Sequence, residues 1–371
     1  MSSVPPPSAL RADHSSTTST PRRPLHIAAI AARSRFGYGF ETVLDALTTG
    51  AEAPSTVVED ALARPIEGFD LRTEAGPGSV RTLDRATGIA LSALASLCSE
   101  GTTVGPETAL ILGTSMGSVA STIRFTQDGL SGSRPYLVDP SRFPNTVMNF
   151  AAGQSAIRHG LTGPNATVIA GAVTGITALR YARRMIGGGQ AERVVVGATE
   201  ELSAERIRLA RAIGSATSIP LGEGAAMLLL TPVTEATDGP AVLVTEALTA
   251  FASASRPGAG DRSAGALVAR ASAAGTGTPQ AVIAVGADDD LAPLLRQVRA
   301  TPSPTIELAP HTVLGDTGAA GATFAIGLAA AWLQRAPRSV DGTAPNVWVL
   351  AADPSGHLGI AVLTQIDRGS A

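Results

Sequence analysis

Short runs of β-branched and aliphatic residues, at 25–31, 109–113, 167–170, 193–196, 225–231, 241–248, 281–285, 347–351 and 359–364, punctuate this chain. Between them lie segments with helical spacing, the clearest at 40–49, 82–99, 119–127, 176–186, 291–298 and 318–334. Short strands alternating with helices of about ten or more residues build largely parallel sheets covered on both faces. An α/β protein is therefore expected. The pattern divides into two blocks, 25–235 and 236–371, each closing on a pair of adjacent strands. Segments 234–240 and 257–265 are rich in Gly and polar residues and read as loops within that frame. Residues 1–24, with abundant Ser, Thr and Pro and few large apolar side chains, read as a disordered N-terminal tail.

Composition narrows the function classes. Of 371 residues, 44% are hydrophobic and only 16% charged, enough for a large core and a broad buried interface. The net charge of −3 offers no basic surface for nucleic acid. Arg180, Arg183 and Arg184 share one helical segment and read as a solvated face or a small carrier-docking patch. Cys98 is the single cysteine, so neither a disulfide framework nor a thiolate metal site is possible. It shares 82–99 with Leu83, Ala90, Leu94 and Leu97 at helical spacing, which marks it as a buried, inert thiol. His14, His26, His159, His311 and His357 lack metal-ligand spacing, so no metal is expected. There is no signal-like apolar core and no run of about 18 apolar residues, so the expected location is cytoplasmic and off the membrane.

The stretch 163–175, GPNATVIAGAVTG, runs an apolar strand into a turn of small residues ahead of a helix. Such a strand-to-helix elbow is where an enzyme places a nucleophile, at the positive end of a helix dipole. Here the candidate positions hold Ile, Ala, Gly and Val.

Several further fragments occur in an order that belongs to one family. They are Leu83-Asp84-Arg85, Gly113-Thr114-Ser115-Met116-Gly117, Phe143-Pro144-Asn145, the segment 152–165, Gly197-Ala198-Thr199-Glu200-Glu201, Gly222-Glu223-Gly224-Ala225 and Gly318-Ala319-Ala320-Gly321. With the elbow, they make the chain resemble the β-ketoacyl synthases, condensing enzymes of the thiolase-like fold. The resemblance is nearest to the chain length factor, or ketosynthase β subunit, of type II polyketide synthases. It implies two pseudo-repeated α/β halves in a five-layered α-β-α-β-α sandwich.

The resemblance also implies which chemistry is missing. Ketosynthases hold the acyl chain on a Cys and stabilise an enolate with two His and a Lys. Those positions fall on Ala172, Val285, His311 (the Lys) and Asp316, with Gly315 a rival alignment for the second His. A carboxylate at Asp316 would repel an enolate. The family's Gly-Phe-Gly-Gly gating loop is reduced to Ala352-Asp353-Pro354-Ser355-Gly356-His357, and the insertion between Leu202 and Ile219 is short. Some β subunits carry Gln at the cysteine position, where this chain has Ala172.

The resemblance thus implies a catalytically silent subunit paired with an active ketosynthase (α) subunit. The partner would perform decarboxylative Claisen extension on an acyl carrier protein. No cofactor would be bound here, since phosphopantetheine thioesters would reach the partner. The tunnel would be lined by Val119, Thr122, Ile123 and Phe125. The partner interface would use Phe143, Pro144, Asn145, Met148 and Asn149 together with Thr167, Val168 and Ile169. Two other readings stay open. Ser115 lies in a GxSxG string, with Asp288, Asp316, His311 and His357 downstream, as in a serine hydrolase or acyl-transfer enzyme. A homodimeric acyl-binding scaffold would need no catalytic partner. Glu200-Glu201 and Asp288-Asp289-Asp290 read as helix-end capping ahead of a hard-cation site.

Overall fold

A computed structural model describes residues 23–51, 53–76, 78–99, 104–132, 134–213, 219–233, 240–253, 255–274, 278–300, 306–336 and 344–367. The expected tail (but for residues 23 and 24), the loop at 234–239 and the boundary at 235/236 lie outside the described residues.

In chain order the first elements are β1 (Leu25–Ser34), β2 (Gly37–Tyr38), α1 (Glu41–Thr49), β3 (Thr56–Val58), β4 (Ala61–Arg64), α2 (Leu71–Glu74) and α3 (Arg85–Ser99). Next come β5 (Ala109–Gly113), α4 (Val119–Ser131), α5 (Phe150–His159), β6 (Asn165–Val168), α6 (Thr174–Gly187), β7 (Val194–Glu200) and α7 (Ala204–Ala212). Then follow β8 (Leu221–Gly222), β9 (Gly224–Pro232), β10 (Pro240–Phe251), α8 (Ala259–Ser272), β11 (Ala281–Val285) and α9 (Asp288–Arg299). The chain closes with β12 (Ile306–Leu308), α10 (His311–Leu314), α11 (Ala320–Arg335), β13 (Asn346–Ala352) and β14 (His357–Asp367).

Ten of the strands form two arrays of identical topology, β1-β9-β7-β5-β6 and β10-β14-β13-β11-β12, while β2 pairs with β1 and β3, β4 and β8 form a separate small sheet. In each, the second strand of that order (β9 or β14) lies antiparallel to both its neighbours, and the remaining pairings are parallel. The arrays join into one sheet where Leu25 and His26 pair with Val244 and Leu243. The fold is thus a structural duplication that the sequence does not repeat.

Burial sorts the helices into layers. One apolar cluster packs α3 and α5 on the outer face of the first array, with Leu94, Leu97, Leu110 and Leu112 at its centre. Another packs α8 and α9 on the outer face of the second, around Leu267, Leu294 and Trp348. Between the arrays a third cluster holds α6 and α11. Almost every residue of α11 is buried, as expected of a helix apolar on all sides. The result is the five-layered α-β-α-β-α arrangement. At Gly175 the two central helices approach so closely that a Cβ would lie 2.7 Å from the Thr323 amide nitrogen. Among the described residues no helix is long and apolar enough to cross a membrane.

Two local expectations need correction. Residues 259–265 are not loop but the first half of α8, because Ala264, Leu267, Val268 and Ala271 place one buried stripe at helical spacing. The strand expected at 167–170 runs instead from Asn165 to Val168. Its neighbour β5 ends at Gly113, opposite Val168, so Ile169 and Ala170 have no strand to pair with.

Candidate functional site

The elbow is built by local hydrogen bonds. After Val168 the chain turns through a short 3₁₀ segment, Gly171–Val173, into α6. Gly171 has φ +54, a conformation favouring glycine, and a Cβ there would collide with the Asp353 carboxylate. The Thr174 hydroxyl donates to Gly171 O (2.7 Å) and accepts from the Ala170 N–H (3.0 Å), which fixes the turn. Ala172, at the centre of that turn, faces a cavity of about 160 Å³. Val285, His311, Gly315, Asp316, Ser115 and Asp353 line the same cavity, so residues from both halves of the chain converge here.

Three carboxylates and one imidazole are among the side chains that line the cavity. The Ala172 N–H donates to Asp353 Oδ2 at 3.3 Å. The other oxygen of Asp353 accepts from the Ser355 N–H (3.0 Å) and the His357 N–H (3.2 Å). His357 Nδ1 lies 3.2 Å from both carboxylate oxygens, and its ring packs edge-on against Phe251. The Asp316 carboxylate accepts from the Gly318 N–H at 2.8 Å, while Asp290 adds a third acid to the lining. Burial, then Asp353 and Asp289, push the Asp290 carboxyl above its usual range. Burial pushes the His311 imidazole down, which favours the neutral ring, and its Nδ1 has no hydrogen-bond partner among the described residues. The sequence contains no lysine at all, and Cys98 lies in the outer-layer helix α3. Burial raises the Cys98 thiol, which sits 3.8 Å from His159 Nδ1.

Ser115 is engaged structurally. Its N–H donates to Glu200 Oε1 (2.5 Å), and its Oγ accepts from the Ala319 N–H (3.0 Å). Among the described residues no histidine hydrogen-bonds Ser115, so the pairing a hydrolase needs is not assembled. Glu200 is buried, and burial raises its carboxyl despite the opposing charge of Arg206. Glu201 accepts from the Ala120 N–H (2.9 Å) and the Ser118 hydroxyl (3.1 Å), satisfying the start of α4. Asp288, Asp289 and Asp290 occupy the first turn of α9, where their charge complements the helix dipole, although no side-chain cap bond forms. No group of three metal-ligating side chains occurs among the described residues. Two of the α6 arginines lie against β10, Arg183 reaching Glu246 (3.7 Å) and two carbonyls and Arg180 bonding Thr249, while Arg184 is exposed over Tyr181 of its own helix.

The remaining candidates gather on a second face. Val119 is buried, Ile123 half-buried and Thr122 exposed, its hydroxyl bonded to Ser118 O. Phe125 packs on Phe143 with ring centroids 5.9 Å apart, joining α4 to the segment that follows it. Phe143, Met148 and Ile169 remain 57%, 42% and 51% exposed, a high apolar exposure for one face. Pro144 and Asn149 are exposed, and Thr167 and Val168 half-buried on β6, the edge strand of the sheet. Asn145 differs, turning inward beside Thr167 and Asp84 at a small cavity. Sequence reasoning passed over Asp353 as a site residue; its signal was an acid in place of the family's gating-loop glycine.

Residues 49–236 match the family model for the β-ketoacyl synthase N-terminal domain, half of the chain. The chain belongs to the β-ketoacyl synthase family. A solved structure described as the ishigamide ketosynthase/chain length factor superposes with a TM-score of 0.77 at 29% identity, covering 92% of this chain and 99% of that one. A β-ketoacyl synthase from Burkholderia phymatum STM815 superposes at 0.68 and 16% identity, over 93% and 100% of the two chains, a likeness of fold alone. In sequence, the 3-oxoacyl-[acyl-carrier-protein] synthase 2 of Vibrio cholerae is 30% identical over 142 residues, 37% of this chain. That match spans 34% of the length of the Vibrio protein, about a third. The thiolase-like fold is therefore established, and the family with it.

Proposed function

We propose that this chain is the non-condensing member of a ketosynthase pair, a chain length factor that completes and shapes the tunnel of an active ketosynthase. The partner carries the Cys, both His and the Lys, and extends the chain by decarboxylative Claisen condensation of malonyl groups on an acyl carrier protein. One observation carries the reading. At the elbow, where a condensing enzyme needs a thiol and free N–H donors, Ala172 offers a methyl group and its N–H is engaged by the Asp353 carboxylate. The absence of lysine from the sequence removes another part of the condensing apparatus. The match to a ketosynthase/chain length factor over nearly the full chain supports the same assignment.

In this pair the exposed face around Phe143, Pro144, Met148, Asn149 and Ile169 packs on the partner, and the open edge of β6 extends the partner's sheet. Val119, Thr122, Ile123 and Phe125 line the far end of the tunnel. Phosphopantetheine thioesters enter through the partner. Co-expression with an intact ketosynthase tests the pairing. A stable one-to-one complex, with an interface on the order of 2,000 Å² or more, is expected. A well-behaved monomer indifferent to co-expression would contradict it.

A further inference from the structure

The small cavity beside Asn145 is ringed by polar side chains, and all but two are hydrogen-bonded within the protein. Asp84 accepts from the Thr87 N–H and hydroxyl (2.8 and 2.9 Å), and the Thr114 hydroxyl accepts from the Gly117 N–H (3.0 Å). The Thr199 hydroxyl donates to Ala86 O (2.9 Å) and the Ser118 hydroxyl to Glu201 (3.1 Å). Asn145 Oδ1 and Thr167 Oγ1 are the exceptions. Both atoms are buried, and neither has a hydrogen-bond partner among the described residues. Asn145 is only 8% exposed and belongs to the short 3₁₀ segment Pro140–Thr146, while Thr167 lies on β6. The cavity that both line has a volume of about 10 Å³.

Buried oxygens without a hydrogen bond are costly, and native proteins leave few of them. A polar cavity of this size holds one water and nothing larger. We infer that it is the site of a single ordered water, through which Asn145 positions the exposed segment carrying Phe143 and Met148. The water donates one hydrogen to Asn145 Oδ1, which can only accept, and takes the Thr167 hydroxyl hydrogen. Its second hydrogen goes to Asp84, whose oxygens keep unused lone pairs beyond the two bonds from Thr87. One molecule thus ties the 3₁₀ segment to β6 and to the start of α3. Asn145 stands between Phe143 and Met148, 57% and 42% exposed, so fixing it fixes the face that both present. The water site stands by itself, whereas the positioning role rests on the pairing proposed above.

A crystal structure of the full chain, in whichever assembly it purifies, should show one solvent peak about 2.7–3.2 Å from both Asn145 Oδ1 and Thr167 Oγ1. No peak there would overturn the site. Denaturant unfolding reads the same water through two near-isosteric variants, Asn145→Leu and Thr167→Val. Each is expected to raise the unfolding equilibrium constant about fivefold or more. The two side chains share a water, so the double variant should lose little more than either single one. Losses that multiply in the double variant, or single variants as stable as the wild type, would contradict a shared water. A midpoint higher in sodium or potassium chloride than in choline chloride, at equal ionic strength, would make the occupant a cation and overturn it too. The positioning role is read from the affinity of folded Asn145→Leu for an intact ketosynthase, expected to fall about tenfold or more. Undiminished affinity would overturn that role alone. A wild-type chain that binds no ketosynthase would remove the pairing, and the role with it, while the solvent peak still decides the water.

Discussion

The amide of Ala172 donates to Asp353 Oδ2 at 3.3 Å, joining positions 181 residues apart. The bond holds a carboxylate against the turn that leads into α6. The same carboxylate holds the Ser355 and His357 amides, so it also braces the loop before β14. Asp353→Ala is expected to lower stability by about 1 kcal/mol, as an acceptor serving one exposed and two half-buried amides is lost. Asp353→Asn, which keeps an acceptor, should cost less. Denaturant unfolding of the three proteins checks the order, and an Asn variant as damaged as the Ala variant would contradict it.

The duplicated layer architecture was legible in the strands because β-branched runs such as 193–196 and 347–351 are buried on both faces and need no partner pattern. Helix α8 was not legible, since its exposed positions are Gly, Ala, Asp, Arg and Ser, a composition shared with loops. The elbow was visible as a missing nucleophile at Ala172. Its closure by Asp353 was not, because a hydrogen bond across 181 residues leaves no local spacing to read.

Gly175 sets the distance between the two central helices. In Gly175→Ala the new Cβ would lie 2.7 Å from both the amide nitrogen and the hydroxyl of Thr323, so α6 and α11 must separate. Overpacking of this kind costs about 1–3 kcal/mol. Urea unfolding should show a lower midpoint, and an unchanged one would mean the helices yield freely.

Asp84 caps α3 by accepting from the Thr87 N–H (2.8 Å) and hydroxyl (2.9 Å). Burial nevertheless pushes its carboxyl up to about 6, against about 3.9 for an unperturbed Asp. The folded state therefore binds the proton more tightly, and this group's contribution to stability falls as pH rises from about 4 to about 6. Asp84→Asn keeps an acceptor and escapes the charge. It is expected to gain on the wild type across that window, by up to about 3 kcal/mol, and to hold the gain above it. A stability difference that does not vary with pH would contradict the shift.

If Val119 and Thr122 line the far end of a partner's tunnel, Val119→Phe or Thr122→Trp shortens the product without slowing the first condensation. Mass spectrometry of products from the paired enzyme checks this, with complex yield monitored because the larger side chain costs about 1–3 kcal/mol if it overpacks. Products of unchanged length from normally assembled variants would remove these residues from the tunnel.

Intact-mass analysis of the paired complex, incubated with acyl thioesters and then malonyl carrier protein, tests the silent-subunit reading most directly. Acyl adducts are expected on the partner alone. Installing Ala172→Cys should not create a second condensing site, because Val285, His311 and Asp316 still supply no donor set for an enolate. An acyl adduct on the unmodified chain, or chain extension after the partner's own cysteine is removed, would contradict the account.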